Sequence, residues 1–206
     1  MARFIFIFIV GSLVGIFVIL IAQANWVKGE LDAERDSISK YFGEGTAQIV
    51  EGRTEIFFND WFIETGAVEN TYSFLLFNES LLRKIISKLA PGALVWLKER
   101  VEAFWWLIYQ SVFRAFMAVY WLPYLLPLFA AGVLDGLMQR KIKKVDFEYA
   151  NTVHYHIAWN IITALMIVPV LYLLLPISVH PLIIPIWSVS LAAAMALLSS
   201  SLQHRL

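Results

Sequence analysis

Residues 112–144 read VFRAFMAVYWLPYLLPLFAAGVLDGLMQRKIKK. Positions 115–134 carry no charge, which is long enough for a helix to cross ~30 Å of hydrocarbon. Arg114 stands immediately before this block, and Arg140, Lys141, Lys143 and Lys144 crowd together after it. A solid apolar block fenced by basic residues is the pattern of a membrane span and its anchor. Pro123 and Pro127 lie inside it. Each removes a helical hydrogen bond, which predicts a kink.

The rest of the chain fits that start. In 206 residues, 60% are hydrophobic, 16% are charged and eight are tryptophan, with a mean hydropathy of +0.69. One water-soluble core of this size could not hide so much apolar surface. The lipid bilayer takes the excess, and the chain reads as an all-α integral membrane protein. Net charge is zero, so nothing draws the whole molecule to nucleic acid and no direct binding is expected. The absence of cysteine removes disulfides, thiolate metal sites and thiol catalysis.

Three further uncharged stretches, 4–22, 157–175 and 181–198, are long enough to span as helices, which predicts four transmembrane helices. The alternation RFIFIFIV near the start is strand-like, but its continuation GSLVGIFVILIA favours a helix. Solid apolar blocks are not the alternating pattern of a barrel. Ala22-Gln23-Ala24 has the small-x-small form of a signal cleavage site. The apolar run before it is long for a signal core, so segment 1–24 is read as an uncleaved signal anchor.

Basic residues set the orientation. The segment 135–156, GLMQRKIKKVDFEYANTVHYH after Asp135, carries the four clustered cations and is read as a basic cytoplasmic loop. The connection PISVH, between the spans of the hairpin 157–198, has no charge and faces outward. Both termini, including the tail 199–206, then lie in the cytoplasm of a bacterium and the protein sits in its inner membrane. Segment 25–114 becomes a long periplasmic insertion between helices 1 and 2.

That insertion holds ten basic and thirteen acidic residues. It is too long for a structureless loop and is read as largely helical. A first helix should leave Trp26 and stop at Gly43. Phe57, Phe58, Trp61, Phe62 and Ile63 form an aromatic-rich cluster, read as a small core or a face lying at the headgroups. Pro91 marks another helix start, on a stretch whose wet face carries Lys98, Glu99, Arg100 and Glu102. Arg114, at the edge of the apolar block, is read as snorkelling to the interface, with an ion pair or a lipid phosphate as its functional option.

Small residues recur at helix-packing intervals: Gly11 with Gly15, Gly132 with Gly136, and Ala192, Ala193, Ala194 and Ala196. They allow backbones to approach closely. A homo-oligomer stays open, with packing inside the chain as the default.

Chemistry is sparse. His154 and His156 are two apart and do not share a helix face, though a metal site or a membrane enzyme completed by Asp146 or Glu148 is conceivable. His180 falls on the opposite side and His204 in the tail. No phosphate-binding glycine loop and no nucleophile elbow occur. The four spans hold no Asp or Glu, where a coupled carrier would need polar residues. No catalytic, cofactor or metal residue is assigned, and the chain is expected not to be an enzyme.

The run VFRAFMAVYWLPYLLPLFAAGVLDGLMQRKIKK and the later YHIAW resemble a family of four-span inner-membrane proteins. That family, catalogued as a domain of unknown function, occurs in integrative conjugative elements and large conjugative plasmids, encoded beside the coupling ATPase. The shared pattern runs through Arg114, Pro123, Pro127, Gly132, Asp135, Gly136, Leu137, Arg140, Lys141, Lys143, Lys144, Tyr155, His156 and Ala158. It covers the last 95 or so residues, and the earlier half only by layout. Where such proteins often carry a glycine-rich loop with more arginines, this chain has VDFEYANTV. The resemblance implies a non-enzymatic membrane component of conjugative DNA transfer that associates with the coupling ATPase of a type IV secretion system. An entry-exclusion or envelope protein of the same element is the alternative. The residues implied in partner or lipid contact are Arg114, Asp135, Arg140, Lys141, Lys143, Lys144, Tyr155 and His156.

Overall fold

The computed structural model describes residues 21–75, 91–145 and 152–201. The first predicted span, with Gly11 and Gly15, lies outside the described residues, as do Asp146, Glu148 and His204. Among the described residues every regular element is helical: α1 (Ala24–Phe42), α2 (Glu44–Phe58), a π turn (Asn59–Ile63), α3 (Ala67–Leu75), α4 (Pro91–Val145), α5 (Thr152–Leu165), α6 (Ile167–Leu174) and α7 (Ile183–Ser200). Three stretches are long and apolar enough to cross a membrane: Gly92–Lys143, Tyr155–Leu174 and Ile183–Ser200. They contain or overlap the last three predicted spans.

The described residues fall into two compact units. One holds the chain up to Met117 together with Tyr172–Pro181; the other holds Ala118–Leu171 and the chain from Leu182 onward.

In the first unit α1 buries Ala24, Val27, Leu31, Glu34 and Ile38. The steps of three and four place these five on one face. Four are apolar or small, and the fourth in order is a glutamate. α1 stops where the sequence predicts, at Gly43, whose φ of +85° suits glycine and strains other residues. The Gly43 N–H returns to the Ser39 carbonyl at 3.0 Å. α2 begins at once and packs its small residues Thr46, Ala47 and Val50 inward, so the two helices form a close pair. Thr46 and Thr54 donate their hydroxyls to carbonyls one turn back, which lets them be buried without orphaned polar atoms.

Of the aromatic-rich cluster, Phe57, Phe58 and Phe62 pack inward, while Trp61 and Ile63 stay exposed. Phe58 lies edge-on to Trp105 and Tyr109, with ring centroids 6.1 and 5.3 Å apart, and Phe62 to Trp105 at 5.6 Å. Phe57 meets Phe116 at 5.7 Å. Trp105, Tyr109 and Phe116 recur at helical spacing on α4, so the end of α2 and its π turn lie against one stripe of that helix.

α4 is 55 residues long and runs unbroken through Pro123 and Pro127. The stretch read as a basic loop is therefore helical at both ends, with Asp135 to Lys143 on the last turns of α4 and Tyr155 and His156 in the first turn of α5. Cations there favour the helix's negative end.

In the second unit Gly132 and Gly136 face α7. A Cβ on Gly132 would stand 2.6 Å from the Ala192 carbonyl oxygen, and one on Gly136 would stand 2.7 Å from the Ser199 Cβ and closer still to the Ala196 carbonyl oxygen. Only glycine permits that approach. Val119, Leu122, Leu126, Ile186 and Val189 are exposed, as lipid-facing side chains are. The membrane-length stretch Tyr155–Leu174 is interrupted at Met166, between α5 and α6. Pro169 supplies the reason: it has no N–H for the Leu165 carbonyl and its ring crowds it. The Trp187 indole donates to that carbonyl at 2.8 Å.

Candidate functional site

Among the described residues, the densest polar constellation is built around Arg114, in the first unit. Sequence reasoning places this side chain at the interface, reaching outward. The structure turns it inward, 0% exposed, against Glu34, 1% exposed. Arg114 Nε donates to both carboxylate oxygens at 3.1 and 2.9 Å, and Nη2 to Oε2 at 2.7 Å. The planar guanidinium fork matches the carboxylate. The remaining donors go to carbonyls: Nη1 to Tyr172 at 2.5 Å and Leu175 at 2.6 Å, and Nη2 to Ile177 at 2.5 Å. Arg114 does not snorkel outward; of its two functional options the ion pair is the one found, with counter-charge and acceptors both inside the chain.

Those carbonyls come from the end of α6 and the turn after it. A helix C-terminus leaves carbonyls without intrahelical partners, and α4 supplies the donors. Ser111 adds its hydroxyl to the Leu173 carbonyl at 2.8 Å. α1 secures the same turn from the other side, where the Ser178 N–H donates to Glu30 Oε2 at 2.6 Å. The Tyr172 hydroxyl reaches Glu34 at 3.4 Å, and its ring lies 5.1 Å from the guanidinium carbon. Arg114 thus joins α1, α4 and the turn that follows α6.

Burial pushes the Glu34 carboxyl above the ordinary carboxylate range, while its bonds to Arg114 oppose the rise. The Ser178 N–H holds Glu30 below that range. Nothing in this constellation is a nucleophile poised beside a base. Its chemistry is that of a structural lock.

Of the pair, Glu34 went unnoticed in the sequence. The signal was present: a carboxylate in the fourth place of an otherwise apolar stripe on α1 demands a buried cation. Arg114, alone at the head of an uncharged block, is the complementary anomaly.

The other candidates lie in the second unit. Asp135 is exposed and accepts a bond from the Gln139 amide at 2.8 Å. Lys141 is exposed, and Arg140 and Lys143 are half-buried. Among them Leu137, Met138 and Ile142 are also exposed, so the end of α4 offers cations and apolar groups side by side. Tyr155 is half-buried, His156 is exposed, and their rings lie 5.7 Å apart. The side chains of Lys144 and His154 lie outside the described residues, and with them most of the alternative metal site.

A family model described as IncC plasmid conjugative DNA transfer protein DtrJ-like matches residues 22–203. No curated protein and no solved structure matches the chain. The resemblance to a conjugation-associated family, drawn from the later half, is met by a match that takes in the earlier half too.

Proposed function

The chain belongs to the DtrJ-like family of conjugative DNA transfer proteins, and from that premise we propose that it is a non-enzymatic scaffold of the transfer apparatus in the inner membrane. In this reading four helices span the bilayer with both termini inside, and residues 25–114 stand outside. The partner is the coupling ATPase of a type IV secretion system.

The observation that carries the reading is the end of α4. The helix does not stop where its apolar block stops at Leu134; it continues to Val145 with exposed Lys141, Leu137, Met138 and Ile142. Eleven more helical residues rise roughly 16 Å at 1.5 Å each. A span needs no such extension to be anchored, whereas a docking helix does. Basic and apolar groups together suit the membrane-proximal part of a partner protein.

Anionic headgroups would also gain about 1 kcal/mol per basic residue there. The test separates charge from shape. Full-length protein is recovered from donor cells and its co-purifying proteins are identified. Exchanging Arg and Lys among positions 140, 141 and 143 preserves charge, while Tyr155→Ala and His156→Ala leave it nearly intact. Loss of coupling-ATPase recovery and of donor transfer in the Tyr155 and His156 variants supports docking. If only charge removal matters, and acts through misinsertion, the segment is an anchor. A requirement in recipients instead of donors would replace the reading with entry exclusion.

A further inference from the structure

Within the first unit, α1, α2 and the first part of α4 enclose a cavity of about 300 Å³. Part of its lining is aromatic, from Trp106, Tyr109 and Phe113, with the apolar Leu31. Phe113 is almost wholly buried, and Trp106 and Tyr109 are half-buried with rings edge to face at 5.7 Å. The rest of the lining is acidic, from Asp32, Glu51 and Glu55. One cation, Arg35, stands among them, held by Glu51 at 2.5 Å. Among the described residues, Asp32 and Glu55 have no ion-pair partner. A second cavity of about 370 Å³ shares Asp32 and Arg35 and adds Asp36 and Glu44. Together the two cavities are lined by five carboxylates and one guanidinium.

Aromatic rings and carboxylates in one lining make the complement of one kind of group. An anion would be repelled by the carboxylates, and a neutral apolar ligand would strip water from them without replacing it. An alkyl stem ending in an ammonium or guanidinium satisfies both surfaces: the stem lies on the rings, and the head meets the carboxylates and the π faces. The volume is at the low end for small-ligand sites, enough for one such side chain. The chain already uses this chemistry next door, where Lys28 seats its ammonium 4.5 Å from the Trp106 ring centroid.

We propose that this cavity receives an arginine or lysine side chain projecting from a basic segment of a partner protein. The proposal stands on the first unit alone and is independent of coupling-ATPase docking on the far end of α4.

The probe is the peptide acetyl-Arg-Ala-Arg-amide, titrated against the detergent-purified full chain and followed by tryptophan fluorescence and calorimetry. Saturable binding is expected, weakened about tenfold by Glu55→Gln, which removes a charge-assisted contact without changing shape. Trp106→Leu should weaken binding to the same extent, with calorimetry as its readout. Asp36→Asn, which removes the same charge outside the aromatic cavity, should change affinity by no more than about twofold. Absence of saturable binding overturns the proposal. So does an Asp36→Asn loss equal to that of Glu55→Gln, since the attraction would then be diffuse surface charge. Spermidine binding as tightly as the peptide would assign the cavity to a polyamine and overturn the peptide reading.

Discussion

The Trp187 indole N–H bonds the Leu165 carbonyl, the one acceptor that Pro169 strips of its helical donor. In hydrocarbon no water can take that role. Trp187→Phe should therefore orphan a carbonyl and cost about 1–3 kcal/mol. Pro169→Ala restores an N–H at the right place, so Trp187→Phe should be nearly silent in that background. Thermal unfolding of the four proteins in detergent gives the cycle. Equal costs in both backgrounds would show that Trp187 matters by packing and not by repair.

The Glu34–Arg114 pair makes a second prediction, opposite to that of a snorkelling arginine. Removing one partner of a buried pair costs about 3–5 kcal/mol, because a lone charge stays behind. Arg114→Lys should behave nearly as badly as Arg114→Met, since an ammonium cannot fork across a carboxylate and also serve three carbonyls. Glu34→Leu combined with Arg114→Met should lie above either single variant in stability, though below the native chain. Tolerance of Arg114→Lys at native stability would refute the lock.

Gly132→Ala and Gly136→Ala place a methyl against α7 backbone. Overpacking of this kind costs about 1–3 kcal/mol. Gly92→Ala, whose added Cβ meets nothing within 4 Å, is the control. A drop in unfolding temperature confined to the first two variants is the expected result.

Acid should loosen the turn after α6 through Glu30. Its folded-state pKa is depressed by the Ser178 N–H, so its contribution is present above the ordinary carboxylate value and lost as pH falls through the depressed one. Glu34 has the opposite sign: its raised pKa makes protonation easier in the folded chain. Hydrogen exchange at the Ser178 amide should be slower in the native chain than in Glu30→Gln at neutral pH. The two should converge only once pH has fallen below the ordinary carboxylate range and through the depressed pKa of Glu30.

Topology is open to labelling because the chain has no cysteine. Single cysteines at Ser37, Ser73 and Ser178 should react with an impermeant reagent in intact spheroplasts, and one at Thr152 should not. Reaction at position 152 would invert the proposed orientation.

Much of the architecture was legible one residue type at a time. Gly43 announced the end of α1, Gly132 and Gly136 announced a close helix contact, and uncharged blocks announced the apolar helices. What the sequence hid is relational. Arg114 stood out at the head of its uncharged block and Glu34 did not, and nothing local tells either residue that the other is its partner. Pro169 predicts a break in its helix but not which distant indole mends it. The basic cluster reads as a loop because charge after an apolar block marks an edge. Arg140, Lys141 and Lys143 are good helix formers, and the helix runs on through them.

The 80-residue separation of Glu34 from Arg114 also sets a clock. Chains are made from the N-terminus at ~5–20 residues per second, so Glu34 waits on the order of ten seconds for its guanidinium. During that interval α1 carries a bare carboxylate and cannot settle its inner face. Even then the joint is unfinished, because the Leu175 and Ile177 carbonyls that take the other guanidinium donors lie some sixty residues further on.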